Sequence, residues 1–82
     1  NTHVGLSLFP NPSKNVFSLR LNRQLYNGKV QVRVLNSMGS EVQYEVFENT
    51  NEMTVKHSLP GGIYYVQVGF GDEILSIKMI VQ

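Results

Sequence analysis

The chain has 82 residues and a mass of 9.3 kDa, and a chain of this size buries only roughly 60% of the surface it exposes when unfolded, so it holds one domain around one thin core. With 41% hydrophobic and 16% charged residues, it is too apolar for intrinsic disorder, and its net charge of +1 builds no field that would hold nucleic acid or a membrane surface. The absence of cysteine excludes a disulfide scaffold, a thiolate metal site and a cysteine nucleophile.

Apolar residues alternate with a period of two along most of the chain, and no long segment keeps them at helical spacing, so no helix is expected. Seven strands are predicted: Leu6 to Phe9, Val16 to Leu21, Lys29 to Leu35, Glu41 to Phe47, Met53 to His57, Ile63 to Val68 and Ile74 to Val81. Short strands at such regular spacing imply an all-β sandwich or barrel. No apolar run approaches the roughly 20 residues that cross a bilayer. Asn1-Thr2-His3 has neither an initiator Met nor a basic and apolar leader pattern, so residues 1–82 are expected to be a single domain taken from a longer protein.

Pro10-Asn11-Pro12-Ser13 ends the first strand, because proline lacks a ladder donor and restricts the residue before it; the chain must leave that sheet there. Asn27-Gly28 is a strong turn signal, and the polar Asn22-Arg23-Gln24 before it lengthens the connection beyond a tight hairpin.

Asn36-Ser37-Met38-Gly39-Ser40 fits a three-residue hairpin loop with Gly39 in the left-handed region. That places Asn36 opposite Ser40. Counting outward, Val34 meets Val42, Val32 meets Tyr44 and Val30 meets Val46 on the core face, while Arg33 meets Gln43 and Gln31 meets Glu45 outside.

Leu59-Pro60-Gly61-Gly62 breaks the chain before the sixth strand, with Gly62 suited to a bulge or a close backbone approach beside Tyr64. Gly71-Asp72 suits a two-residue type II′ turn. Val68 then faces Leu75, Val66 faces Ile77 and Tyr64 faces Met79 in the core, while Gln67 meets Ser76, Tyr65 meets Lys78 and Ile63 meets Ile80 outside.

The residues that carry chemistry form no catalytic or metal pattern. His3 and His57 show neither HxH nor HExxH spacing, and both are expected at the surface, His57 at a strand end. Glu41 and Glu45 are expected on the outer face of a strand, Glu48 and Glu52 in a loop, and Asp72 in its turn, all solvated. Ser58 beside His57 lies in no GxSxG elbow. The chain is therefore expected to have no catalytic residue, no metal ligand and no cofactor. Tyr26, Tyr44, Tyr64 and Tyr65 would have to face outward together to stack on sugars, and the pairing places Tyr44 and Tyr64 in the core.

The last strand, Ile74 to Val81, carries one charge, Lys78. It reads either as a docked terminal strand or as an edge that another protein recognises by strand addition or terminus capture.

Three groups of residues resemble one family. Leu8-Phe9-Pro10-Asn11-Pro12 is similar to its opening motif; Val32 to Val42, with Gly39 at the turn, is similar to its middle hairpin; Leu59-Pro60-Gly61-Gly62-Ile63-Tyr64-Tyr65-Val66, followed by Lys78-Met79-Ile80-Val81, resembles its Gly-x-Tyr motif and Lys-hydrophobic ending. The family is the type A C-terminal sorting domain of the type IX (Por) secretion system of Bacteroidetes. Asn36 and Ser37 stand where the family often has Asp and another polar residue, a change the turn tolerates.

This resemblance implies a seven-stranded immunoglobulin-like sandwich with no enzymatic activity. It implies a signal that takes an N-terminally attached cargo from the periplasm through the outer-membrane translocon to the exterior or the cell surface. It also implies that a sortase-like cysteine peptidase of the system commonly removes the domain afterwards and anchors the cargo to surface lipopolysaccharide. By matching position, Lys78, Met79, Ile80, Val81 and Gln82 would be the recognition segment, and Pro10, Asn11, Pro12, Gly39, Gly62 and Tyr64 would maintain the fold. The alternative from another class is a glycan- or protein-binding sandwich module of a secreted enzyme, reliant on Tyr26 and Tyr65.

Overall fold

A computed structural model describes residues 5–22 and 27–82. Within them run seven strands, β1 (Gly5–Phe9), β2 (Val16–Asn22), β3 (Lys29–Asn36), β4 (Glu41–Glu48), β5 (Glu52–Lys56), β6 (Gly62–Phe70) and β7 (Glu73–Val81). Each lies within two residues of its expected bounds, because alternation and turn residues are local signals. His3, Tyr26, Arg23 and Gln24, which figure in the expectations above, lie outside the described residues.

The strands form two antiparallel sheets, a three-stranded one in the order β1-β2-β5 and a four-stranded one in the order β4-β3-β6-β7. Each sheet buries one face against the other, the immunoglobulin-like sandwich expected. Phe17, Leu19, Met53 and Val55 from the first sheet meet Val32, Val34, Val66, Val68 and Met79 from the second, and all are inaccessible or nearly so. Burying one such side chain stabilises the fold by roughly 1.5–3 kcal/mol.

The β6–β7 hairpin keeps the expected register throughout: Val68 opposes Leu75, Tyr64 opposes Met79, and Tyr65 opposes Lys78. Gly71 supplies the turn with φ +57, a left-handed value that costs glycine little. Gly62 forms no bulge; it opposes Val81 in an unbroken ladder. The close approach belongs instead to Gly61, where a Cβ would stand 3.4 Å from the Val81 carbonyl oxygen. Above it the Tyr64 hydroxyl donates to the Pro60 carbonyl at 2.7 Å, joining a buried ring to the bend that precedes its own strand.

The β3–β4 hairpin corrects the expected pairing. Its turn is as anticipated: Gly39 has φ +87, and its N–H donates to the Asn36 carbonyl at 2.9 Å. Leu35 opposes Glu41, but Val34 opposes Gln43, so Val42 is the extra residue of a bulge. One added residue reverses every later side chain. Tyr44 opposes Arg33 rather than Val32, and Val46 opposes Gln31 rather than Val30. Tyr44 is consequently no core residue; it is 43% exposed, with the Arg33 guanidinium 5.3 Å from its ring centre. Glu45 turns inward and is half-buried rather than solvated. The physical reason is the mismatch of three strands against four. At the β4 edge the opposite sheet offers little apolar cover, and the half-buried Gln43 amide instead bridges to the Lys56 carbonyl at 2.8 Å and to Glu45 at 3.0 Å.

Candidate functional site

The C-terminal strand β7 and the segment that follows β1 meet at the rim of the four-stranded sheet. The prolines stop β1 from continuing along β2, as the sequence predicts, and the chain crosses to the other sheet. There Ser13 forms a parallel bridge with Val81. Its N–H donates to the Ile80 carbonyl at 2.7 Å, and its carbonyl accepts from the Gln82 N–H at 2.8 Å. One step earlier, the Asn11 side chain mimics a strand: its amide donates to the Lys78 carbonyl at 3.2 Å, and its oxygen accepts from the Ile80 N–H at 2.9 Å.

These bonds occupy the backbone edge that strand addition over Lys78 to Gln82 would need. In this fold that stretch is a covered edge.

Ser13 is itself anchored from beneath. It is inaccessible to solvent, and its hydroxyl lies 2.9 Å from His57 Nε2 and donates to the Val16 carbonyl at 3.1 Å. His57 follows β5, as expected, but it is buried rather than superficial, with its ring 5.8 Å from that of Phe17. The Leu59 N–H donates to His57 Nδ1 at 3.2 Å, which leaves the proton of the neutral ring on Nε2, pointing at Ser13. Burial lowers the pKa of this imidazole below its ordinary 6.5. A serine and a histidine at this distance can form a nucleophilic pair, but here the nitrogen facing the hydroxyl is the protonated one, and no substrate reaches the inaccessible Ser13. The pair is structural.

Among the described residues, no group of three or more His, Asp or Glu side chains is placed to hold a metal ion. Glu52, expected in a loop, opens β5 and accepts from Arg20 Nε at 2.7 Å on the outer face of the three-stranded sheet. Glu48 closes β4 rather than lying in a loop.

The proposed recognition segment divides by strand alternation. Met79 and Val81 point into the core and are 0% and 3% exposed, while Lys78, Ile80 and Gln82 face solvent. Lys78 forms no ion pair among the described residues, whose salt bridges are Arg20–Glu52 and Arg33–Glu41. Of the residues expected to maintain the fold, Asn11 holds the edge of this strand, Tyr64 opposes Met79, and Gly62 opposes Val81. Gly39 lies apart from it, in the turn between β3 and β4, the strand at the other edge of the sheet. Sequence reasoning missed Ser13 and its partner His57, which no local pattern connects because 44 residues separate them.

With this arrangement in view, residues 7–82 match the family described as the secretion system C-terminal sorting domain, which covers nearly the whole chain. The chain belongs to that family.

A search among curated proteins finds no match. As a type IX sorting domain, the chain serves as a C-terminal secretion signal, is attached to a cargo protein, and interacts with the type IX machinery. Its destination lies toward the outer membrane or the cell surface. The family is not a family of enzymes.

Proposed function

We propose that this sorting domain takes its cargo from the periplasm through the outer-membrane translocon, with the outward side chains of its last strand as the part the translocon contacts. The observation that carries this reading is the division of β7. Asn11 and Ser13 cover its edge and Met79 and Val81 are buried, so Lys78, Ile80 and Gln82 are what the segment offers a partner. The domain is thus read as a folded surface, with the inward residues setting the pose of the outward ones. After passage, a sortase-like cysteine peptidase removes the domain, and the cargo is released or anchored to lipopolysaccharide.

A fluorescent protein with a periplasmic leader, fused to the N-terminus of residues 1–82 and expressed in a bacterium that has the type IX system, tests this. Reporter outside the cell or on its surface, absent from a strain lacking the translocon, is the expected result. Reporter that stays periplasmic in both strains rules the reading out.

A further inference from the structure

The two outer faces of this sandwich differ in character. On the three-stranded sheet, outward side chains satisfy one another: Ser18 and Thr54 hydroxyls lie 3.3 Å apart, and Arg20 pairs with Glu52 while stacking 5.4 Å over the Phe9 ring. The outer face of the four-stranded sheet instead carries large apolar groups on three of its strands. Ile63, Tyr65 and Ile80, 41–44% exposed, are neighbours there, with Ile63 opposite Ile80 and Tyr65 opposite Lys78, whereas Ile74 lies beyond Gln67 and Ser76, and Tyr44 and Val46 on β4 lie across Arg33 and Gln31 of β3. Scattered exposed apolar residues are ordinary, whereas a contiguous patch on one face of a small domain marks an interaction surface. Toward the β6–β7 turn, at the other end of the hairpin, Gly69 has no side chain, and a depression of about 150 Å³ opens there, lined by Gln31, Arg33, Gln67, Gly69 and Ile74.

Charge and size identify the kind of occupant. Arg33 lies 3.6 Å from the Glu41 carboxylate, and Lys29 stands opposite Glu48 in the ladder. Lys78, directly opposite Tyr65 and flanked by Ile80, has no ion-pair partner among the described residues. The patch therefore offers apolar surface with one uncompensated positive charge, the complement of an apolar surface bearing a carboxylate. The outer face of β6 and β7, two strands about 4.8 Å apart and nine residues long, measures roughly 300 Å². That is less than half of what each partner contributes to a standard stable interface, so it suits a transient partner better than a second copy of this chain.

We propose that the outer face of β6 and β7, centred on Tyr65, Lys78 and Ile80, is a docking surface for an apolar, carboxylate-bearing patch on a protein of the export machinery. This rests on the sorting function proposed above and extends the contact beyond the terminal segment to Ile63 and Tyr65.

The test uses the reporter fusion with three variants: Tyr65→Ser together with Ile80→Thr, Lys78→Glu alone, and Thr54→Ala on the opposite face as control. The expected result is a drop in exported reporter of roughly tenfold for the first two, the size of loss that follows removal of a central apolar anchor or reversal of a complementary charge. Thr54→Ala exports as the unaltered domain does. Urea unfolding of each purified domain separates docking from folding, and Lys78→Glu removes no apolar contact should the double variant fail to fold. Normal export by Lys78→Glu and by a folded double variant overturns the docking surface while leaving the sorting function intact; failure of the unaltered domain to export removes both. A domain that sediments as a dimer, and as a monomer once Tyr65 and Ile80 are replaced, would assign the face to a second copy and overturn the proposal.

Discussion

The Ser13 hydroxyl and His57 Nε2 lie 2.9 Å apart in the core, and this contact couples the C-terminal strand to the opposite sheet. Ser13 holds Ile80 and Gln82 through its backbone, and His57 follows directly from β5. A change at either side chain is therefore felt at the rim of β7, although neither belongs to that strand.

Replacing Ser13 with Ala removes the acceptor for the His57 N–H and leaves a buried donor without a partner, which costs about 1–3 kcal/mol. Urea unfolding should report a lower midpoint with an unchanged slope. Amide exchange at Gln82 should accelerate as well, since its N–H donates to the Ser13 carbonyl. A midpoint equal to that of the unaltered domain would mean that the hydroxyl contributes nothing.

Acidification should weaken the domain through His57. Burial lowers its folded pKa below 6.5, so between the two values the unfolded chain binds more protons than the folded one, and stability rises with pH. The contribution is complete above about pH 6.5 and is lost as the pH falls from there through the depressed folded value. Unfolding midpoints between pH 7.5 and 5.5 should fall for the unaltered domain and stay nearly level for His57→Gln; parallel curves would exclude His57 as the cause.

Two tyrosines separate the observed β3–β4 register from the one expected by counting. Tyr64 is 6% exposed and Tyr44 is 43% exposed. Tyr64→Ala should cost about 3–5 kcal/mol through loss of core packing. Tyr44→Ala should cost less than about 1 kcal/mol, since it forfeits a surface contact with Arg33. Comparable losses at the two positions would return Tyr44 to the core and remove the bulge at Val42.

Gly39 provides a purely conformational case. A Cβ there would meet no atom within 4 Å, yet φ is +87. Gly39→Ala should therefore cost about 1–2 kcal/mol from backbone strain alone. Gly39→Asn, which tolerates the left-handed region, should recover part of it. Equal stability of the Ala and Gly forms in thermal unfolding would show that the turn relaxes to another type.

Strand limits, the three-residue turn at Gly39 and the β6–β7 register were legible in the residues because each depends on neighbours in the chain. Alternation marks a strand, a glycine admits a left-handed φ, and two residues between Phe70 and Glu73 leave only one way to pair. The departure of the chain from the first sheet at Pro10 and Pro12 was legible for the same local reason.

The inversion of β4, the burial of His57 and the covering of β7 by Asn11 and Ser13 were not. The face that Tyr44 takes depends on how far the opposite sheet reaches across β4. The His57 environment depends on a serine 44 positions away, and the β7 edge on an asparagine 67 and 69 positions from the groups it bonds. Such contacts arise only when distant segments pack together, because a hydrogen bond across the chain leaves no periodicity in the residues that make it.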